Sequence, residues 1–315
     1  MNTFLKKVPM PIVGVMLSFA VLGNLVQSYG EVYRNILGII SAIIFIITTI
    51  KFLSDLKGLK NDLDTPIGGS VFLTYTMGIM ILATYIKPYN NNAAFGVWIA
   101  GVILHLVFLL RFTFKFIGHF KIKQVFPSWF IVYVGIAAAA VTGKAFQPVI
   151  GQIAFWFSFI CYIILIFVVG KRVFIVKEIP EPALPTLVIF AAPGSLCLAG
   201  YLNSFDTKNM IIFWLLLILS QGFYLFAISR LAGLLKLKFY PSYSAFTFPM
   251  VISALALKLS NGFLIKQGFN TGILPVIVKI EEAIAVVLVF YVLIRYIVHI
   301  STVKVNGLDV IKQAN

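Results

Sequence analysis

Few of the charged or titratable side chains in this 315-residue sequence lie well inside its long apolar runs, where they could do ion or proton chemistry. They are His105, Lys258, Lys279, Glu281 and Glu282. A charged group in hydrocarbon is costly, so one that is retained there is a candidate ion or proton site. Lys258, Glu282 and His105 are the candidates for an anion or proton site. Each also has a plainer role open to it. Lys258 and Lys279 can snorkel to an interface, either glutamate can pair with either lysine, and His105 can hydrogen-bond within helix packing. The three histidines, His105, His119 and His299, are too far apart for a metal-binding H-E-x-x-H set, and no G-x-S-x-G elbow or P-loop occurs. No catalytic residue, metal ligand or cofactor is expected, and an intramembrane enzyme is the weakest reading.

In the middle of the first, third, fifth, seventh and ninth runs no acid or base occurs, and the polar groups there include the hydroxyls of Ser18, Thr74, Thr76, Thr142, Ser195, Ser244, Thr247 and Ser253. A path lined this way offers weak dipoles and no strong binding site. Passage would be fast, and selection among anions would follow dehydration cost more than coordination.

These residues need elements to position them. Hydrophobic residues make up 61% of the chain and charged ones 11%, with a mean hydropathy of +1.02. That composition excludes an ordinary soluble domain. A spanning helix needs about 20 apolar residues. Ten runs qualify, at about 10–29, 33–53, 67–86, 94–116, 127–146, 149–170, 183–203, 210–233, 241–264 and 275–299, numbered here as spans 1 to 10. The first reads as a spanning helix and not as a cleaved signal. Cys161 and Cys197 both fall inside spans and read as small buried apolar residues. The whole chain, 1–315, reads as one integral membrane domain.

The net charge of +15 could suggest nucleic acid, but its distribution suggests topology. With Lys6 and Lys7 inside, 18 of the 25 Lys and Arg fall on cytoplasmic segments. Only Arg34, Lys87, Lys144, Lys208, Lys258 and Lys266 fall outside, with Lys279 within span 10. By the positive-inside rule both termini are cytoplasmic. The expected location is the inner cell membrane, crossed many times, with no nucleic-acid partner.

Short external connections make neighbouring spans antiparallel, so the spans pair as five helical hairpins. Odd and even spans differ. Span 1 carries Pro9, Pro11, Gly14 and Gly23, span 3 has Gly78, span 5 has Gly135, span 7 has Pro193 and Gly194, and span 9 has Thr247 and Pro249. Even spans have proline only at an entrance, Pro148 and Pro275. Interior prolines kink a helix and free a carbonyl, and small residues allow close approach. Tight packing alone would explain this. The functional reading is an inner set of five kinked odd-numbered helices lining a pore, shielded by five plainer even-numbered ones.

In span 9, Ser244-Ala245-Phe246-Thr247-Phe248-Pro249 resembles the W-A-Y-T-F-P signature of the tellurite-resistance/C4-dicarboxylate transporter family. That family includes bacterial tellurite-resistance protein A and the plant slow-type anion channels. Pro127-Ser128-Trp129-Phe130 with Val134-Gly135, Ala192-Pro193 through Tyr201, and Pro11 through Gly23 are similar to it as well. Tyr243-Ser244 departs from the aromatic pair that often precedes the motif. The resemblance implies an all-α membrane protein with ten transmembrane helices, arranged as five hairpins in a quasi-fivefold ring. It also implies a homotrimer with a pore in each protomer. A phenylalanine from the ninth helix plugs that pore, and it matches Phe248. The expected function is a gated channel for small inorganic anions. The alternative is a proton-coupled carrier for C4-dicarboxylates of the malate type, or a tellurite-related transporter.

Overall fold

Backbone N–H and C=O groups find no water in hydrocarbon, so an apolar run must satisfy them internally, as a helix. The computed structural model describes residues 3–303. Lys304 and Lys312, counted above as cytoplasmic, lie outside the described residues. Among the described residues there is no strand. Nine helices among the described residues are long and apolar enough to cross a membrane: Met10–Tyr29, Glu31–Ser54, Pro66–Ile86, Asn91–Phe116, Pro148–Val176, Glu181–Ser204, Met210–Leu234, Pro241–Lys266 and Leu274–Thr302. They are spans 1–4 and 6–10.

Span 5 corrects the expectation of ten full-length helices. Its helical core is the shorter Trp129–Gly143, interrupted between Trp129–Val134 and Ala137–Gly143. The physical cause is a change of hydrogen-bond spacing. At Gly135 the chain tightens, with Ala138 N bonded to Gly135 O (3.0 Å) and Ala139 N to Ile136 O (2.9 Å). Similar three-residue turns, Trp129 N to Phe126 O and Phe146 N to Gly143 O, extend the segment at both ends. These rise about 2.0 Å per residue against 1.5 Å in an α-helix, so fewer α-helical residues are needed to cover the distance.

The odd–even contrast is visible in burial. The apolar windows of spans 1, 3, 7 and 9 are 67–89% buried, and those of the five even spans 28–33%. Every odd span is also broken along its length. Met10–Ile12 precedes Val13–Val26, Pro66–Val71 precedes Leu73–Ile86, the 3₁₀ segment Glu181–Phe190 precedes Ala191–Ser204, and the 3₁₀ segment Pro241–Phe246 precedes Phe248–Lys266. Spans 2, 4, 8 and 10 are single α-helices, and span 6 ends in the π-helical turn Lys171–Val176.

This changes the role expected of the interior prolines. Pro193 and Pro249 do not kink continuous α-helices. Each stands in the first turn of a new α-helical segment, Ala191–Ser204 and Phe248–Lys266, where a missing N–H costs little. The break falls in the turn before the proline, where its ring crowds the carbonyl four residues back.

Consecutive spans pack as pairs, 1 with 2, 3 with 4, 5 with 6, 7 with 8 and 9 with 10. Odd spans also pack on one another, 1 on 3, 3 on 5, 5 on 7, 7 on 9 and 9 on 1. The bundle has two ends. The near end carries Lys6 and Lys7; the far end is where spans 1 and 2 join.

Candidate functional site

Span 9 changes helix type at Thr247, whose backbone (φ −99°, ψ −75°) belongs to neither flanking segment. Phe248 opens the α-helical part and is buried, with 7% of its surface exposed. Thr247 O accepts from both Met250 N (3.1 Å) and Val251 N (3.2 Å), which steadies the first turn despite the proline. The Thr247 hydroxyl donates to Ser244 O (2.7 Å) and lies 2.7 Å from Ser18 Oγ in span 1. Ser18 Oγ is also 2.6 Å from Gly14 O. A Cβ on Gly14 would lie 3.1 Å from Ser244 Cβ. Gly14, Ser18, Ser244 and Thr247 therefore form one contact between spans 1 and 9, directly before Phe248. Phe246 is fully buried and packs on Tyr243, with ring centroids 4.7 Å apart.

The other glycines named from the sequence sit at helix contacts. A Cβ on Gly78 would meet Met16 Cε at 2.1 Å, and one on Gly135 would meet Ile131 O at 2.2 Å and Met77 Sδ at 2.8 Å. Gly194 faces Tyr162 and Ser220, in even spans 6 and 8, away from the junction at Thr247.

Several hydroxyls expected along a path instead bond span to span. Ser195 Oγ is 2.7 Å from Ser220 Oγ and 2.9 Å from Ser253 Oγ. Trp98 Nε1 donates to Thr142 Oγ1 at 2.7 Å. Such polar contacts hold helices together where water is absent. Sequence reasoning could not assign them, because each partner is on a distant span.

The three candidate ionisable residues all have partners. His105 is fully buried, with Nδ1 2.7 Å from Thr76 Oγ1 and Nε2 3.2 Å from Val132 O, joining spans 3, 4 and 5. Lys258 Nζ donates to Glu282 Oε1 at 2.5 Å and to Leu25 O and Ser28 Oγ at 2.8 Å. Tyr29 Oη donates to the other carboxylate oxygen of Glu282 at 2.6 Å. Lys258 and Glu282 thus close a far-end cluster of spans 1, 9 and 10. Glu281 behaves differently. It is 2% exposed and has no cation beside it among the described residues; Gln221 and Tyr224 of span 8 are its polar neighbours, and neither carboxyl oxygen makes a hydrogen bond of good geometry.

At the near end, Asp64 accepts from Lys115 Nζ (2.5 Å) and Arg111 Nη2 (2.6 Å). Those two cations, Lys115 first, hold the Asp64 carboxyl below the usual carboxylate range. Lys123, 2.9 Å away, does the same for Glu178. The sequence marked Arg34 only as an external cation. It is 8% exposed, with Nε donating to Asn24 Oδ1 (3.0 Å), Nη2 to Thr84 O (3.0 Å), and its guanidinium 4.2 Å from the Tyr85 ring centroid. Among the described residues no group of three His, Cys, Asp or Glu side chains is placed to hold a metal.

A model of the voltage-dependent anion channel family matches residues 7–298. A search of curated proteins gave no match.

Proposed function

The chain belongs to the voltage-dependent anion channel family, the tellurite-resistance/C4-dicarboxylate transporter family, whose members are channels or transporters, and from that premise we propose a gated channel for small anions, with Phe248 as the plug. It is a multi-pass membrane protein of an anion-transporting family. In this reading the odd spans form a quasi-fivefold ring around a pore and the even spans face lipid. Support comes from the odd-to-odd packing order, which returns from span 9 to span 1, and from the odd–even difference in burial. Lipid would cover the even spans, which expose large apolar residues such as Ile39, Phe167 and Ile218. The near end is cytoplasmic in this reading, the membrane is the inner one, and the assembly is a homotrimer.

The observation that carries the gate is the junction at Thr247. A bulky ring at the start of a helical segment, beside a residue of broken geometry, can change its position by small rotations about one backbone site. A ring across a narrow path excludes both ions and water. Pro193, Gly194, Pro249, Gly135, Gly14, Gly78 and Thr247 then serve the pore by setting breaks and close approaches of the inner helices.

Glu281 favours a second reading, a proton-coupled carrier of C4-dicarboxylates or of a tellurite-related anion. A buried carboxyl with no cation to pair with is the kind of group such coupling uses. Efflux of chloride from vesicles containing the purified protein separates the two. A channel gives efflux indifferent to a pH gradient, in wild type and in Glu281→Gln. Uptake of malate driven by a pH gradient, and lost in Glu281→Gln, would replace the channel by the carrier.

A further inference from the structure

All odd spans run from the near end to the far end, so each presents its C-terminal carbonyls there. A helix C-terminus carries roughly half a negative charge. Several such ends around one mouth would repel an anion. Four of them are met by a basic side chain. Lys258 Nζ donates to Leu25 O at 2.8 Å in span 1, and Arg34 Nη2 to Thr84 O at 3.0 Å in span 3. Lys87 Nζ donates to Ala145 O just past the helical core of span 5, and Lys208 Nζ to Phe205 O at 2.5 Å just past the helix of span 7. In span 9 the last turn carries Lys266 itself. Of the six far-end cations only Lys144, which follows Gly143 of span 5, makes a second on one terminus.

Simple helix capping would explain any one of these contacts. It does not explain why far-end cations collect on odd-span C-termini. We infer that Arg34, Lys87, Lys208 and Lys258 form a collar that neutralises the carbonyl ends at the far mouth and so sets the preference for anions over cations there. Each has at least one donor held by a carbonyl, and the collar acts through its field more than by binding an anion tightly. The members differ in net charge. Lys258 is matched by Glu282 at 2.5 Å, and Arg34 has Glu31 at 3.7 Å. Lys87 and Lys208 make no ion pair among the described residues; they lie over the rings of Phe146 (5.2 Å) and Phe263 (5.7 Å). Burial, followed by Lys144 and, more weakly, Lys266, pushes the Lys208 ammonium below its usual range, against the opposing pull of Asp206. Lys87 and Lys208 therefore carry most of the field.

The inference rests on the anion-channel reading, and the test separates the two. Reversal potentials are measured across a chloride gradient for reconstituted Phe248→Ala. The same is done with Lys87→Gln and Lys208→Gln added, with Lys87→Arg and Lys208→Arg added, and with the exposed near-end change Lys57→Gln as control. The collar predicts an anion-to-cation permeability ratio several-fold lower in the double glutamine variant, restored by arginine and unmoved by Lys57→Gln. A ratio unchanged by the glutamines in a conducting protein overturns it. If Phe248→Ala carries no current, the channel reading fails, and malate uptake from the far side becomes the readout. There a several-fold higher KM in the glutamine variant sustains the collar, and an unchanged KM or the absence of any uptake overturns it.

Discussion

Thr247 Oγ1 lies 2.7 Å from Ser18 Oγ, so the residue at which span 9 changes helix type is tied to span 1 immediately before Phe248. The two hydroxyls also have carbonyl partners of their own, Ser244 O and Gly14 O. Thr247→Val removes one side of the link and leaves Ser18 satisfied by Gly14 O. The expected loss of stability is about 0.5–1.5 kcal/mol, the usual worth of one hydrogen bond. Thermal unfolding in detergent measures it. The same variant is expected to leak more anion than wild type, because the backbone that holds Phe248 is freer.

The pair of Asp64 with Lys115 and Arg111 makes a pH prediction. Its folded-state pKa is depressed by those cations. Its contribution to stability is therefore present above the unfolded carboxylate value, about 4, and is lost as pH falls through the lower folded value. The site is about one-third exposed, with Asp64 at 35%, so the effect is small. Melting temperatures of wild type and Asp64→Asn are expected to differ slightly at pH 7 and to converge near pH 3. A gap that widens on acidification would contradict the assignment.

Much of this was legible from sequence, and the exceptions have physical causes. Apolar runs gave span positions because lipid leaves a chain little choice but helix. The small-residue pattern separated odd from even spans because close approach requires it, as at Gly78 against Met16. What could not be read was partner choice. Lys258 was a candidate vestibule cation, yet it is held by Glu282, 24 positions later, and by Leu25 O, 233 positions earlier. The breaks were attributed to prolines as kinks, and the sequence did not show that the helix type itself changes in the turn before Pro193 and Pro249, at Phe190 and Thr247. Arg34 was counted for charge alone, since nothing local announces that Thr84 O and Tyr85 receive it.

The Lys258–Glu282 contact predicts strong coupling. Glu282 is 5% exposed, and removing its cation leaves a buried charge with only Tyr29 as donor. Lys258→Met is expected to cost about 3 kcal/mol, whereas Lys258→Met with Glu282→Gln costs less than either change would suggest by addition. Unfolding of the two single variants and the double variant gives the coupling. Additive losses would show that the pair contributes nothing beyond its separate contacts.

Glu281 predicts the opposite sign. Its carboxyl is buried with no cation beside it among the described residues, so Glu281→Gln, which can exchange hydrogen bonds with the Gln221 amide, is expected to stabilise by about 1–2 kcal/mol. A raised melting temperature is the expected result. A lowered one would mean that Glu281 holds a partner the wild-type fold depends on.

The central claim is that Phe248 closes an anion path. Single-channel or macroscopic current through purified protein in a planar bilayer, wild type against Phe248→Ala, tests it most directly. The account predicts a small wild-type current and a current at least tenfold larger and anion-selective in the variant. Equal, negligible currents from both proteins, each shown to be folded, would contradict it.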